Sequence, residues 1–259
     1  MNIHQAKVVD HVEASGGYRI LTFEVPSLAK VVKPGQFIHV RVPRLDGAVL
    51  RRPFSVYSAR GKEISVLYKV VGVGTHSMKS ICTGEVLSII GPLGNGFPVL
   101  KSRKLPVLVA GGYGVAPLAF LASRLKRKGI VFIGGAKASD ILCVKDFKKL
   151  GWEVRIATDD GSAGEKGLVT KILDEWLAGL EPVEFLEFFA CGPDGMLKAV
   201  GERAKWLDYR AWLSLDKHMG CGVGACLACV QKIKREGVVS LMRVCREGPV
   251  FEASEIVWE

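Results

Sequence analysis

Up to about residue 100, apolar and polar positions alternate in short runs. The runs AKVVDHVEA, YRILTFEV, GQFIHVRV, PFSVYS, EISVLYKV and EVLSIIGP are rich in β-branched and aromatic residues, and SGG, PG, LDG and RGK separate them. A period of two places one face of a strand inward, and turn residues at this spacing join strand to strand. Six such runs predict an antiparallel barrel. One helix-like piece, GTHSMKSIC, interrupts them.

From Leu105 the pattern changes. LPVLVAGG is a continuous apolar run of buried-strand length, and APLAFLASRLKRKG carries helical spacing up to Gly129. IVFIGGA, EVRIATDD and EFLEFFACG read as further strands, with helices at GLVTKILDEWL and GMLKAVGERAKWL. Strand–helix alternation predicts a doubly wound parallel sheet whose ligands bind at the carboxyl ends of its strands. From about Trp212 the chain is rich in cysteine, with a hairpin around KREG and a closing piece GPVFEASEIVW. The expected class is a multidomain β-barrel plus α/β protein, divided into residues 1–100, 101–211 and 212–259. The last segment is too short for an independent core, so a bound cluster is expected to supply its cohesion.

Composition narrows this picture. A chain of 259 residues, 49% hydrophobic and 24% charged, is globular and long enough for two or three domains. Three glycines and two prolines break the longest apolar run, Leu105–Ala122, so it reads as strand, turn and helix rather than a membrane span. The opening MNIHQAKVVDHVEA holds no apolar core of a signal peptide. The expectation is a soluble cytoplasmic protein without membrane contact. The net charge of +10 is scattered over KSRK at 101–104, RLKRK at 124–128 and KIKR at 232–235. RLKRK is expected in the last turn of a helix, where cations suit the dipole. None of these groups interleaves aromatics, which argues against a nucleic-acid surface and leaves a solvated face or an acidic partner or cofactor.

Cysteines in a reducing compartment favour metal or cluster binding over disulfides. Cys221, Cys226, Cys229 and Cys245 are spaced C-x4-C-x2-C-x15-C. Structural zinc sites usually pair two C-x2-C knuckles or add histidines, and the sole nearby histidine, His218, precedes the group. The observed order is the plant-type pattern for a [2Fe-2S] cluster. Gly220, Gly222 and Gly224 would let backbone crowd the sulfurs. Cys82 and Cys143 stand singly as small core or surface residues. Cys191 lies at a strand end before a helix, where a helix N-terminus can lower a thiol pKa and where plain packing is an equal reading.

A cluster moves single electrons and a nicotinamide moves a hydride, so a flavin is expected between them. RRPFSVYS offers an arginine to clamp a pyrophosphate, the face of Phe54 and the hydroxyl of Ser55. VGVGTHSM opens a helix at Gly74 and Thr75, whose free N–H groups suit a phosphate. GGYGVAPL reads G-x-G-x-x-P from Gly112 to Pro117, short of the full dinucleotide fingerprint. No acid stands clearly about 20 residues past these glycines, so charge does not decide NAD against NADP.

Together these runs resemble the ferredoxin–NADP reductase superfamily, whose R-x-Y-S/T motif appears here as Arg52-Pro53-Phe54-Ser55, with phenylalanine in place of tyrosine. The resemblance implies that Leu67, Tyr68 and Lys69 line FAD and that GPLGNGF joins barrel to nucleotide domain. It also implies that Gly111, Gly112, Gly114, Pro117, Gly192 and Pro193 hold NAD, with Cys191 in the hydride-transfer environment. The loop TDDGSAGEKGLVT, with Asp160, would border the nucleotide or simply cap the next helix. LRRPFSV, YKVVGVGT, GPLGNGFPV, CGPDGMLKA, LSLDKHMGCGVGACLACV and VCREGPVF further resemble the family of dihydroorotate dehydrogenase B electron-transfer subunits. That resemblance implies FAD, one [2Fe-2S] cluster, NAD and an FMN-containing catalytic partner in a two-plus-two heterotetramer of pyrimidine biosynthesis. Two alternatives stay open. One is the small subunit of a ferredoxin–NADP transhydrogenase or the flavoprotein subunit of a cytoplasmic hydrogenase. The other is a zinc-stabilised regulatory binding protein without redox turnover.

Overall fold

The computed structural model describes residues 1–45, 47, 49–99, 104–180 and 185–258. Six antiparallel strands close into a barrel: β1 (Asn2–Glu13), β2 (Tyr18–Glu24), β3 (Phe37–Val40), β4 (Arg52–Arg60), β5 (Glu63–Lys69) and β6 (Val86–Leu93), in the order β1-β2-β5-β4-β3-β6. Alternate residues fill its interior: Ala6 and Val8, Leu21 and Phe23, Ile38 and Val40, Ile64 and Val66, Leu87 and Ile89. The short helices α1 (Pro26–Ala29) and α2 (Val73–Met78) bury Leu28 and Met78 in the same core. Closure removes the unpaired strand edges that an open sheet would expose.

The α/β part is a seven-stranded sheet in the order β10-β9-β8-β7-β11-β12-β15. Its parallel strands are β7 (Leu105–Gly111), β8 (Ile130–Gly135), β9 (Glu153–Thr158), β10 (Glu165–Lys166), β11 (Leu186–Cys191) and β12 (Arg210–Ser214). Helices α3 (Val115–Arg124) and α4 (Val144–Lys149) pack on one face, α5 (Val169–Ala178) and α6 (Asp194–Trp206) on the other. The strands feed both faces, as with Val107 and Val109 against Leu108 and Ala110. The chain winds outward from β7 through β8 and β9, then returns to β11 on the opposite side of β7. The topological switch point therefore lies between Gly111 and Cys191, the carboxyl ends of β7 and β11.

The tail adds a hairpin of β13 (Val230–Arg235) and β14 (Val238–Arg243), then β15 (Val250–Glu252). Glu236 and Gly237 both take positive φ, as a two-residue hairpin turn requires. The tail is tied to the neighbouring sheet. β15 pairs antiparallel with β12, which itself straddles the expected division at 211/212. Cys229, Ile233, Val244, Cys245 and Phe251 share one core with β7, β11 and α6. The neighbouring sheet thus contributes to its cohesion.

Two local expectations need correction. α3 stops at Arg124, where Leu125 turns extended, so most of RLKRK lies beyond the helix. Lys128 reaches back from outside it to the carbonyl of Leu125 at 2.8 Å. Gly129 is therefore not a helix cap; a Cβ there would fall 2.0 Å from the Pro106 carbonyl oxygen. α4 carries little amphipathic signal, being VKDFKK with Phe147 as its one buried anchor. Residues 101–103 of KSRK, the 100/101 division, and the first residue of the EFLEFFACG run lie outside the described residues.

Candidate functional site

The flavin motif lies on β4, opposite β3, with Ser55 across from Phe37 and Pro53 across from His39. Two adjacent arginines take different roles. Arg51 donates to the carbonyl and hydroxyl of Ser88 at 2.6 and 2.9 Å, which ties β4 to β6. Arg52 instead lies over the start of α2, where a Cβ on Gly74 would sit 3.0 Å from its Nε. One Arg52 N–H bonds the Leu50 carbonyl at 2.6 Å. Thr75 shapes the turn: its hydroxyl accepts from the N–H groups of Val71 and Gly72 at 2.9 and 3.1 Å. Phe54 stands 5.6 Å from the ring of Tyr68 on β5.

Lys69 is held by the sheet domain. Its ammonium meets Asp140 Oδ1 at 2.7 Å, Tyr18 donates to the same oxygen at 3.1 Å, and the Lys69 charge lies 4.8 Å from the Tyr18 ring centroid. Burial would raise the Asp140 carboxyl, but the bonds from Lys69 and Tyr18 hold it below its ordinary value. Tyr57 adds a second strut, donating to Asp146 on α4 at 2.8 Å. The barrel and the sheet are thus locked together by polar side chains that flank the flavin motif.

At the switch point, Gly114 must be glycine, because a Cβ would fall 2.2 Å from the Cys191 carbonyl oxygen. Gly111, Gly112, Gly192 and Pro193 gather at the same place, with Pro193 capping α6. Pro117 does not join them; it is buried in the first turn of α3, where its missing N–H leaves no gap. Asp160 sits beyond β9 and accepts from the Ser162 N–H and hydroxyl at 2.9 and 2.6 Å. It organises its own loop, whose Ser162 hydroxyl accepts from the Ala138 N–H at 2.7 Å.

Cys191 does not have the lowered thiol of a helix N-terminus. Burial pushes it up to about 12, against a smaller opposing effect of Ser214. Burial and Asp216 likewise raise Tyr113 to about 12, and its hydroxyl donates to Asp216 at 3.0 Å. At neutral pH this corner presents a thiol and a phenol, both uncharged.

One cleft of about 260 Å³ brings part of this set together, while Gly74, Gly111, Gly112, Pro117, Asp160, Gly192 and Pro193 stand outside its lining. Arg52, Pro53, Phe54 and Ser55 line it with Leu67, Tyr68, Lys69 and Thr75 from the barrel. Gly114, Tyr113 and Cys191 line it from the sheet, and Asp216, Met219 and Pro249 from the tail. Apolar walls with an arginine and hydroxyls at one end fit a planar aromatic ring system carrying a pyrophosphate. The sequence reading missed Phe37, Tyr113, Asp216 and Met219. Tyr113 lies within the GGYGVAPL turn and Asp216 and Met219 within the run LSLDKHMG, but neither run suggested a role for them.

The cysteines form two pairs. Cys221 Sγ accepts N–H bonds from Val223, Ala225 and Cys226 at 3.4, 3.2 and 3.4 Å, and Cys226 Sγ accepts from Cys221 at 3.4 Å. Cys229 Sγ accepts from the Cys245 N–H at 3.4 Å. Burial would raise the Cys221 thiol, but its three N–H donors bring it down to about 6, toward the thiolate a metal needs. Burial and the neighbouring Cys229 push Cys245 up to about 12. Among the described residues, no three Cys, His, Asp or Glu side chains converge as a single ion requires. Four cysteines in this order, with backbone N–H groups turned onto their sulfurs, fit a [2Fe-2S] cluster. The glycines act differently from expectation. Only Gly220 faces a sulfur, its Cβ position lying 3.2 Å from Cys226 Sγ, while Gly222 faces His39 and Gly224 faces Arg246. The run GPLGNGF also has a second duty. Asn95 takes the carbonyls of Arg246 and Glu247 at 3.1 and 3.0 Å, and its N–H bonds that of Gly248 at 2.5 Å, clamping the tail beside Cys245.

The chain has clear relatives. Residues 216–257 match the family model described as the iron-sulfur cluster binding domain of dihydroorotate dehydrogenase B, and residues 5–97 match that of the oxidoreductase FAD-binding domain. The electron transfer subunit of dihydroorotate dehydrogenase B (NAD(+)) from Desulforamulus reducens is 36% identical over 99% of this chain and 99% of its own. Its counterpart from Caldanaerobacter subterraneus subsp. tengcongensis is 36% identical over 98% of both chains. Among solved structures, an NADH-dependent reduced ferredoxin-NADP oxidoreductase aligns with a TM-score of 0.85 at 27% identity, over 98% of this chain and 90% of that one. An Amycolatopsis cytochrome P450 reductase shares the fold, with a TM-score of 0.66 at 22% identity over 80% of this chain and 66% of that one.

Proposed function

The chain belongs to the family of dihydroorotate dehydrogenase B (NAD(+)) electron transfer subunits, and on that footing we propose that it links an FMN-bearing catalytic partner, which oxidises dihydroorotate for pyrimidine biosynthesis, to NAD+. The observation that carries this reading is the single cleft walled by all three segments of the chain. When bound, FAD supplies the exchange between single electrons and a hydride, and a [2Fe-2S] cluster supplies one-electron conduction.

The chain's own residues then have separable tasks. Arg52 and the first N–H groups of α2, at Gly74 and Thr75, hold the FAD pyrophosphate. Pro53, Phe54, Ser55, Leu67 and Tyr68, which line the cleft, would hold the flavin. Lys69 keeps the barrel docked on the sheet while its stem lines the cleft. Gly111, Gly112, Gly114, Gly192 and Pro193 shape the nicotinamide corner, and Asp160 holds the loop at the far nucleotide edge. The neutral Cys191 thiol and Tyr113 phenol there exclude water without taking a charge. Cys221, Cys226, Cys229 and Cys245 would hold the cluster.

The catalytic partner docks beside the cysteine loop, where Leu227, Val239 and Leu241 are 60%, 52% and 64% exposed. Two copies of each chain make the complete enzyme, in the cytoplasm, where thiols stay reduced. No helix among the described residues is long and apolar enough to cross a membrane. The test is co-purification with the candidate FMN subunit followed by a dihydroorotate:NAD+ assay. Turnover that requires both chains is expected. A pair that forms but reduces NADP+ only from ferredoxin overturns the assignment. It would favour a second reading, the small subunit of a ferredoxin–NADP transhydrogenase, which the 0.85 TM-score alignment supports.

A further inference from the structure

His39 is an anomaly in the barrel. Its neighbours Ile38 and Val40 point into the barrel core, so His39 points outward, toward the seam with the cysteine loop. It is fully buried there, and among the described residues neither Nδ1 nor Nε2 has a hydrogen-bond partner. Phe37 stands against one side, with ring centroids 5.7 Å apart. Gly222, next to the ligand Cys221, closes the other. A Cβ on Gly222 would fall 2.3 Å from His39 Cε1 and 2.4 Å from Nε2, and Gly222 takes a φ of +68°. The imidazole thus occupies space left by the missing side chain of the cysteine loop. Burial, with Arg51 and Arg52 nearby, pushes it down to about 4, so the ring is neutral and carries one N–H. A buried N–H without an acceptor is costly, and folded proteins rarely leave one unmade. His39 does not line the flavin cleft, although Phe37 and Pro53 beside it do.

We propose that His39 is a positioning residue for the cluster: its imidazole N–H donates a hydrogen bond to a sulfur of the [2Fe-2S] group held by Cys221 and its partners. The inference rests on the cluster assignment above. A donor aimed at sulfur favours the reduced, more negative state of the cluster and so raises its potential. The bond also couples domains. Strand β3, next to the flavin strand β4, helps set the potential of a group whose ligands all come from the tail.

The experiment is redox titration of the FAD- and iron-loaded protein, with EPR of the reduced cluster. His39→Phe keeps a ring and removes the donor; His39→Gln returns an N–H. In His39→Phe the ratio of reduced to oxidised cluster at fixed potential should fall about tenfold, a shift of ~59 mV for one electron. His39→Gln should recover most of it, and the flavin potential should stay unchanged in both. A second measurement needs no change at position 39. Pulsed EPR of protein labelled with ¹⁵N-histidine should show nitrogen coupled to the reduced cluster, and the coupling should survive His218→Gln, which removes the other nearby histidine. A loaded cluster with unchanged potential in His39→Phe overturns the proposal, as does a shift in the flavin potential alone. If the position-39 variants do not fold, absence of the nitrogen coupling overturns it instead. Protein without iron would fail the cluster assignment itself, a distinct outcome.

Discussion

The two ends of this molecule are held by different means. The flavin end depends on residues far apart in the chain: Lys69 and Tyr18 meet Asp140, and Tyr57 meets Asp146, across the seam of two domains. The cysteine end depends on its own backbone, whose N–H groups from Cys221 to Cys226 turn onto sulfurs within five residues. Long-range side-chain contacts position a large organic cofactor between rigid walls. A short wrapped loop needs only to present thiolates, because metal–sulfur bonds complete it. If the contrast is real, damage at one end should leave the other working.

Cys226→Ser gives the largest separation. Cys226 is exposed, unlike Cys229 and Cys245, so its loss removes a ligand while disturbing little packing. Bound iron and partner-linked turnover should be abolished, while FAD content and NADH-to-ferricyanide activity persist. Iron and sulfide analysis beside the two assays checks this. Loss of flavin in the same variant would mean that the ends are not separable.

The same contrast explains what could be read from the chain alone. The cysteine spacing is local, and so were the strands and the glycine turn, because alternation and turn residues act over a few positions. Asp140 gave no signal: a lone acid in KASDI becomes important only when the fold brings Lys69 and Tyr18 to it. His39 was hidden for the same reason, within a run that reads as ordinary strand. Gly222 was legible as unusual, but its assigned purpose was wrong, because the ring that fills its space comes from a strand about 180 residues earlier. That the tail joins the α/β sheet was not legible, because periodicity does not reveal that β15 completes a sheet begun at β7.

Arg52→Ala tests the flavin end directly. Charge-assisted bonds to a pyrophosphate are worth about 1.5–3 kcal/mol, so FAD affinity should fall by roughly tenfold or more. Fluorescence titration of the apoprotein measures it, with cluster iron unchanged. Arg51→Ala should affect barrel stability instead, since Arg51 is tied to Ser88.

Lys69→Met should loosen the seam. It leaves Asp140 buried with only Tyr18 as donor; because Lys69 is partly exposed, a loss of about 1–2 kcal/mol is expected. That corresponds to a fall in Tm of roughly 2–8 °C. The Asp140 carboxyl is lowered in the fold, so its contribution is present above its unfolded pKa of roughly 3.9 and lost as pH falls through the folded value. Lys69 is raised by its bond to Asp140, so its contribution is present below roughly pH 10.4 and lost as pH climbs through the folded value. Thermal melts should show the gap between wild type and variant widest between these limits and closing in acid. A constant gap would mean that packing of the lysine stem, rather than the ion pair, joins the domains.

Cys191→Ala should have the smallest effect at neutral pH, and it sharpens the comparison with the cysteine loop. There Cys221 is brought down to about 6 by N–H donors, while burial drives Cys191 up to about 12. A neutral thiol transfers no proton near pH 7, so hydride transfer should change far less than the roughly 10²-fold that loss of a general acid or base produces. The pH profile of NADH oxidation should keep its shape. In alkali, stability should separate the two proteins. A thiol whose pKa is raised in the fold contributes fully below its unfolded value of roughly 8.5 and loses that contribution as pH rises toward the folded value. Wild type should therefore weaken relative to Cys191→Ala above that pH, by at most about 1.4 kcal/mol per pH unit. Denaturant melts between pH 7 and 10 would measure the slope. Parallel curves would show that the thiol ionises freely, with the nicotinamide corner open to water.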